Sequence, residues 1–282
     1  MAIVTMSREF GSGGREVGHA VADVMGYEYI DRKRILEDMR KEGKIWEEKA
    51  KHFDENYPNL WERNDWAFRG FVALNQSHFV NHALRGNVVL MGRGGNFLLR
   101  QFRFVLKVRI KAPFEQRVER VMARYDINRE TAEYLIEKAD SEMAKAVYLI
   151  YGRNWDDPQE YDMVFDTSEE DREGIVSVVK KALLEKERYN TPEERQALEI
   201  RALAERIKAT VLSDPDLIIS MLDVDPREEG LAKYGLVVRG LVHKREDVRL
   251  IEGIAKRMAG AIPIEFRVQY RAYPRFGRID IT

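Results

Sequence analysis

The chain contains no cysteine, which excludes both a disulfide framework and a thiolate metal site. It also lacks an excess of charge of either sign. With 47 Lys and Arg against 48 Asp and Glu, the net charge is −1, and no global field draws the protein to nucleic acid or to an anionic membrane. No apolar run approaches the roughly 20 residues that a membrane span needs. The N-terminus has no basic segment followed by an apolar stretch and a cleavage site. What is present is 44% hydrophobic and 34% charged residues over 282 positions. That composition predicts a folded cytoplasmic protein of one large domain or two ordinary ones.

The first thirty residues are the most informative. Ala2 to Met6 read as a short buried strand, Gly11 to Arg15 as a glycine-rich turn, and Glu16 to Met25 as a helix with Val17, Val21, Val24 and Met25 at helical spacing. Gly26 stops the helix and Tyr27 to Ile30 start a second strand. Strand, glycine loop, helix and strand make a unit in which backbone N–H groups and a helix dipole converge on a phosphate-sized space.

Three readings of the loop stay open from the residues alone. A dinucleotide fingerprint needs glycine three after Gly13, where Glu16 stands, although Asp31 lies where such folds place a ribose-binding acid. A Walker loop needs Lys then Ser or Thr after Gly13, where Gly14 and Arg15 stand, so the charge would have to come from Arg15 and a hydroxyl from Ser7 or Ser12. The third reading is a packing turn, against which three glycines within four residues argue.

Further along, Asp31 to Arg34 place an acid and three cations just after the second strand, where open parallel sheets bind ligands; an N-capping Asp31 is the alternative. Residues 35–85 are predicted helical, with Trp46, Trp61, Trp66, Phe68 and Phe71 as core or as the lining of an acceptor pocket. Val88 to Met91 is a buried strand that ends in Gly92, Arg93, Gly94 and Gly95. An arginine between glycines has little packing use, and its fork suits a phosphate or carboxylate. Phe104 to Ile110 is another strand, followed by a helix opened by Pro113, with Phe114, Val118, Val121 and Met122 inward and Arg117, Arg120 and Arg124 on the other side. Asn128 caps a helix to about Tyr148, and Tyr161 to Ser168 is a last strand, closed by a helix over Ile175 to Leu184.

These parts resemble, in order, the cytidylate kinase-like branch of the P-loop nucleoside monophosphate kinases. The matching stretches are VTMSREFGSGGRE (Val4 to Glu16), YIDR (Tyr29 to Arg32), VVLMGRGG (Val88 to Gly95), APFEQR (Ala112 to Arg117), Asp140, YGRNW (Tyr151 to Trp155) and YDMVFDTS (Tyr161 to Ser168). The resemblance covers residues 1–188 and implies an α/β fold with a parallel sheet flanked by helices, a helical acceptor insertion between about 32 and 85, and a lid around 125–155. It implies that Gly11, Ser12, Gly13, Gly14, Arg15 and Glu16 bind the ATP phosphates. Asp31, Arg34 and Arg93 would face the acceptor, and Arg15, Arg93, Asp140 and Arg153 would form the catalytic set. ATP and Mg²⁺ are the implied cofactors, with no metal ligand assigned.

Three positions depart from ordinary cytidylate kinases. Gly14 replaces the loop lysine, as is usual in this branch; Gly94 replaces a cytosine-reading aspartate; Met143 stands where the lid places an arginine, with Lys145, Arg124 and Arg153 nearby in sequence. The implied activity is transfer of the ATP γ-phosphate to CMP, dCMP or a similar small acceptor. The alternative is a nucleotide-binding sensor that has lost turnover.

After a polar stretch, Thr191 and Glu194 form a capping box around Pro192. Residues 195–272 then read as helix, strand, strand, helix, strand. This αββαβ order resembles the BON domain, which implies a phospholipid, protein or self-association contact. The tail carries Arg267, Arg271, Arg275 and Arg278 with Tyr270, Tyr273 and Phe276, and reads as a solvated basic-aromatic segment rather than a nucleic-acid site.

Overall fold

The computed structural model describes residues 2–55, 65–92, 94–217, 219–227 and 234–272. Trp61, Arg93, Tyr273, Arg275, Phe276 and Arg278 lie outside the described residues. The chain divides into two compact units: residues 1–57 with 78–198, and residues 58–77 with 199–282.

The first unit is built on five parallel strands in the order β2-β3-β1-β4-β5. They are β1 (Ile3–Arg8), β2 (Glu28–Ile30), β3 (Val88–Met91), β4 (Val105–Lys111) and β5 (Met163–Asp166). β1 is central, with Met6 in register with Met91 on one side and Val108 on the other. Because helices cover both faces, the middle strands are continuous apolar runs rather than alternating ones. Helix α1 (Gly14–Met25) sends Val17 and Val21 onto Val4, Met6 and Val108, and α8 (Arg172–Lys186) adds Ile175, Val179 and Leu183 to the same core. Between them in sequence run α2 (Arg32–Met39), α3 (Lys44–Glu55), α4 (Trp66–Arg85), α5 (Gly95–Leu98), α6 (Phe114–Tyr125) and α7 (Arg129–Tyr151). The Asn128 cap forms as read, its carboxamide accepting from the Thr131 N–H at 2.9 Å.

The second unit has the predicted αββαβ order. Helix α9 (Pro192–Leu212) enters it, followed by β6 (Ile219–Pro226), β7 (Leu236–Val242), α10 (Arg245–Ala259) and β8 (Ile264–Tyr270). β6 and β7 pair antiparallel, and β8 adds parallel to β7. The first part of α4 belongs to this unit. Trp66 donates its indole N–H to the Asp214 carbonyl, and Arg69 donates to the carbonyls of Ile219 and Ser220 at the start of β6. The helical insertion is therefore divided, which its apolar spacing does not announce.

Within the first unit, α2 and the second half of α4 meet through a buried polar pair. His82, 1% exposed, bonds Asp38 at 2.7 Å, and the Lys41 ammonium donates to the same carboxylate at 2.7 Å. Burial alone would raise the Asp38 carboxyl, but Lys41 and His82 hold it below the usual range. Burial lowers His82, outweighing its bond to Asp38, so the neutral imidazole is the folded form. Both shifts make acid destabilising. The His82 contribution is complete above the unfolded value of about 6.5 and is lost as pH falls below it, while the Asp38 contribution is lost only below about 4. The melting temperature should fall between pH 7.5 and 5.5 by calorimetry, and His82→Gln should flatten that fall.

Candidate functional site

The chemistry-bearing residues gather at the C-terminal edge of the five-stranded sheet, the ligand edge of open α/β folds. The Glu9 N–H continues the ladder to the Ile110 carbonyl at 3.1 Å, and the chain then turns through Phe10 to Gly13 into α1. Gly11 and Gly13 both sit at φ +80°, a conformation that a side chain makes costly. The loop is held from its carbonyl side. The Ser12 hydroxyl donates to the Glu9 carbonyl at 2.9 Å and Arg117 to that of Phe10 at 3.2 Å. The Ser12 carbonyl accepts from Thr167 at 2.8 Å and from Arg120 at 3.2 Å. The N–H groups of Gly13 and Gly14 have no acceptor among the described residues. Carbonyls fixed behind and N–H groups open in front, at the positive end of a helix, make an anion cradle.

A cavity of about 580 Å³ opens in front of this loop, lined by Arg8, Gly11 to Glu16, Arg120, Arg124 and Tyr125. A larger hollow of about 760 Å³ lies along α1 and α8 beside His19, Asp23, Arg172 and Lys180, away from the glycine loop's open N–H groups. The loop cavity is the one with chemistry.

Behind the loop, two buried arginines share one carboxylate. Arg109 on β4 is 3% exposed and Arg117 on α6 is 8% exposed. Glu9 lies 3.6 Å from Arg109 Nη2 and 3.7 Å from Arg117 Nε, and accepts from the Ala112 N–H at 3.2 Å. Arg109 also donates to the Trp155 carbonyl at 2.8 Å, pairs with Asp156 at 2.5 Å, and stacks 4.1 Å from the Trp155 ring centre. Trp155 in turn donates its indole N–H to the Ser7 hydroxyl at 2.8 Å. Arg117 pairs with Asp140 at 2.5 Å, and Asp140 accepts the Phe10 N–H at 3.0 Å.

The predicted site residues separate on this geometry. Gly11 to Glu16 form the cradle, with Arg15 exposed at its rim and Glu16 paired to Arg124. Burial alone would raise the Glu16 carboxyl, but its backbone hydrogen bond and Arg124 hold it below the usual range. Asp140 reaches the loop from α7, tying it to Arg117. Asp31 caps α2, accepting the Arg34 N–H at 3.2 Å. Arg34 turns to Glu28, Glu37 and Asp38, and Arg153 pairs with Glu160 at 3.3 Å; neither lines the cavity. Arg93 lies outside the described residues. Met143, at the lid-arginine position, packs with Phe97, Val147, Tyr151 and Trp155. A Cβ on Gly94 would overlap the Tyr151 ring, so no aspartate fits there beside it.

One placement is corrected. Arg117 and Arg120 do not lie on a solvent face of α6; both turn under the loop. Arg117 is one position from Val118 and three from Phe114, so it falls on the edge of the apolar stripe. The sequence reading also passed over Arg8, Glu9, Arg109 and Phe10. A charged residue among Val108, Ile110 and Leu106 on a strand buried on both faces was the available signal for Arg109.

The loop fits a phosphate chain, but it offers Mg²⁺ no free hydroxyl. Position 15 is arginine, the Ser12 hydroxyl is buried on the Glu9 carbonyl, and Ser7 is engaged by Trp155 and Tyr161. Among the described residues, no group of three or more His, Asp or Glu could hold a metal.

A model of the cytidylate kinase-like family matches residues 3–169. A cytidylate kinase of Pyrococcus horikoshii is 26% identical over 181 residues, 64% of this chain and 88% of that protein. One from Methanocaldococcus jannaschii is 29% identical over 184 residues, 64% of this chain and 97% of that protein. A solved structure of an uncharacterised Eubacterium ventriosum protein aligns with TM-score 0.53 at 18% identity, over 65% of this chain and 98% of that one, and bears on the fold alone. Among the described residues no helix is long and apolar enough to cross a membrane.

The buried cluster predicts an asymmetry between its members. Arg109→Ala leaves Glu9 without that partner and empties the Trp155 stack, and should cost about 3–5 kcal/mol in urea denaturation. Asp156→Ala removes a carboxylate that is 63% exposed and should cost under about 1 kcal/mol.

Proposed function

This chain belongs to the cytidylate kinase-like family, and on that premise we propose that it transfers a phosphoryl group from ATP to a nucleoside monophosphate of the CMP or dCMP kind, or to a similar small acceptor. The observation that carries the reading is the polarity of the Glu9 to Gly14 loop. The Glu9, Phe10 and Ser12 carbonyls are occupied from behind, and the Gly13 and Gly14 N–H groups are left for a ligand. Phosphoryl transfer asks a protein for positioning and charge neutralisation rather than for a nucleophile. Gly11 to Gly14 would hold the donor phosphates, and Arg15 would stand at their rim. Asp140 acts through Phe10 and Arg117 to fix the loop.

The acceptor reading rests on the names of the relatives, which are cytidylate kinases. The same relatives support turnover over the binding-only sensor. For the second unit, the BON resemblance rests on its αββαβ order, and a phospholipid or protein contact is the role we propose for it. Retention of the full chain on anionic vesicles tests the lipid arm.

A coupled assay of ADP release against CMP, dCMP, UMP and AMP tests the activity. Turnover with at least one acceptor is expected; tight ATP binding without turnover on any would sink it. Two glycines give a matched pair of variants. Gly13 and Gly26 both have positive φ, and a Cβ meets only Arg120 Nη1 at 3.8 Å at the first and nothing at the second. Gly13→Ala and Gly26→Ala should each cost roughly 1–2 kcal/mol of stability. Only Gly13→Ala should weaken ATP binding, measured by calorimetry, by about tenfold or more.

A further inference from the structure

Three of the arginines close to the loop, Arg109, Arg117 and Arg8, differ in their partners. Arg109 and Arg117 share Glu9 and hold Asp156 and Asp140 besides. The third, Arg8, ends β1 and lines the loop cavity. Among the described residues its guanidinium makes no hydrogen bond and no ion pair. Burial draws it below its ordinary value, against the field of Tyr29, Asp31 and Glu16 and with that of Arg15. A guanidinium carries five donors, and withdrawing it from water without an anion is costly.

The path of its side chain explains a glycine. A Cβ on Gly14 would lie 2.7 Å from Arg8 Cβ, 3.2 Å from Arg8 Cδ and 3.1 Å from Ile110 Cβ. The Cβ atoms of Arg8 and Ile110, with the Arg8 stem beyond them, therefore occupy the space that a side chain at position 14 would need. The same side chain runs on toward the turn after β3, where Arg8 Nη1 lies 3.5 Å from the Cβ position of Gly92. The loop has no side-chain cation at its first helical position because a strand residue already fills that place.

We propose that Arg8 is the phosphate-facing cation of this loop, supplied from the end of β1 in place of a side chain at position 14. The proposal rests on the phosphate-cradle reading above and adds to it the residue that neutralises the bound phosphates. Its neighbourhood fits that role. The buried Tyr29 hydroxyl has no hydrogen-bond partner and, pushed up to about 12 by burial, is neutral. Carboxylate partners of the kind that saturate Arg109 and Arg117 are missing from Arg8 among the described residues, which leaves its donors for a ligand.

The test is a series in the full chain with Arg8→Ala, Arg8→Met and Arg8→Lys. Binding of ATP and of inorganic tripolyphosphate is read by calorimetry, turnover by ADP release, and folding by melting temperature. Arg8→Ala should weaken both ligands roughly tenfold or more, and Arg8→Lys should keep part of the affinity. Arg8→Met keeps the stem and removes the charge, so it should hold the melting temperature near that of the wild type while losing binding as Arg8→Ala does. An Arg8 that only packs beside Gly14 would leave Arg8→Met with wild-type affinity. Wild-type affinity in Arg8→Ala or Arg8→Met, or an Arg8→Lys that binds no better than Arg8→Met, would overturn the proposal. If the wild-type chain itself binds neither ligand, the cradle reading fails and this inference fails with it. Loss of Arg8 sensitivity alone would leave the cradle standing.

Discussion

The carboxylate of Glu9 is the interaction on which the rest of the site depends. It follows β1 directly, and every polar group it has is engaged. Its N–H extends the β1–β4 ladder, its carbonyl takes the Ser12 hydroxyl, and its carboxylate faces Arg109, Arg117 and the Ala112 N–H. Two nearly buried guanidinium groups could not share this space without an anion between them, because uncompensated burial of either would cost several kcal/mol. The loop that begins at Glu9 is therefore fixed at its root before any ligand arrives. Ordering a glycine-rich loop in advance removes an entropic cost that binding would otherwise carry.

From that root, the ion pairs run outward into two elements that a lid would use. Arg117 leads to Asp140 on α7, which takes the Phe10 N–H, and Arg109 leads to Trp155 and Tyr161 beyond the end of α7. Ser7 closes the second branch by accepting from both Trp155 and Tyr161. Both the middle of α7 and the segment after it are thus tied to residues flanking the loop. The apolar cluster of Phe97, Val147 and Trp155, with Met143 and Tyr151 against it, fills the space between these ties. Met143 in that cluster contributes packing, and charge at the site has to come from the arginines at the sheet edge.

The strands, the glycine turns and the helix caps were legible in the sequence because each is a local property. Val88 to Met91 reads as a strand from its own residues, and Asn128 caps because its carboxamide reaches three residues on. The cradle was legible for the same reason, since the loop and the helix it opens are contiguous. What was not legible is pairing across the fold. Helical spacing puts Arg117 on the side away from the apolar residues, because its partners, Glu9 and Asp140, come from other elements and no periodicity points to them. Asp31 carries two roles that look alike in sequence, ligand acid and N-cap, and only coordinates show the carboxylate on the Arg34 N–H. The division of the 32–85 insertion between the two units is equally hidden, because Trp66 and Arg69 anchor to carbonyls far along the chain.

A cation delivered from a strand differs physically from one delivered by the first turn of a helix. The β3 ladder holds β1 as far as Met6 and the β4 ladder continues to the pairing of Arg8 with Ile110, so the Cα of Arg8 moves with the sheet. Lysine at a helix N-terminus is a point charge on a flexible stem, whereas a guanidinium presents a planar fork of fixed donors. The stem of Arg8 is also confined beside Gly14 and Ile110, which restricts its rotamers before a phosphate is present. On our proposal, the loop exchanges the mobility of a lysine for an arginine whose direction is set by the sheet. Its glycine at position 14 is a packing requirement of β1 and β4, whose Arg8 and Ile110 Cβ atoms leave no room for a side chain there, and with a loop lysine excluded the charge has to come from the strand.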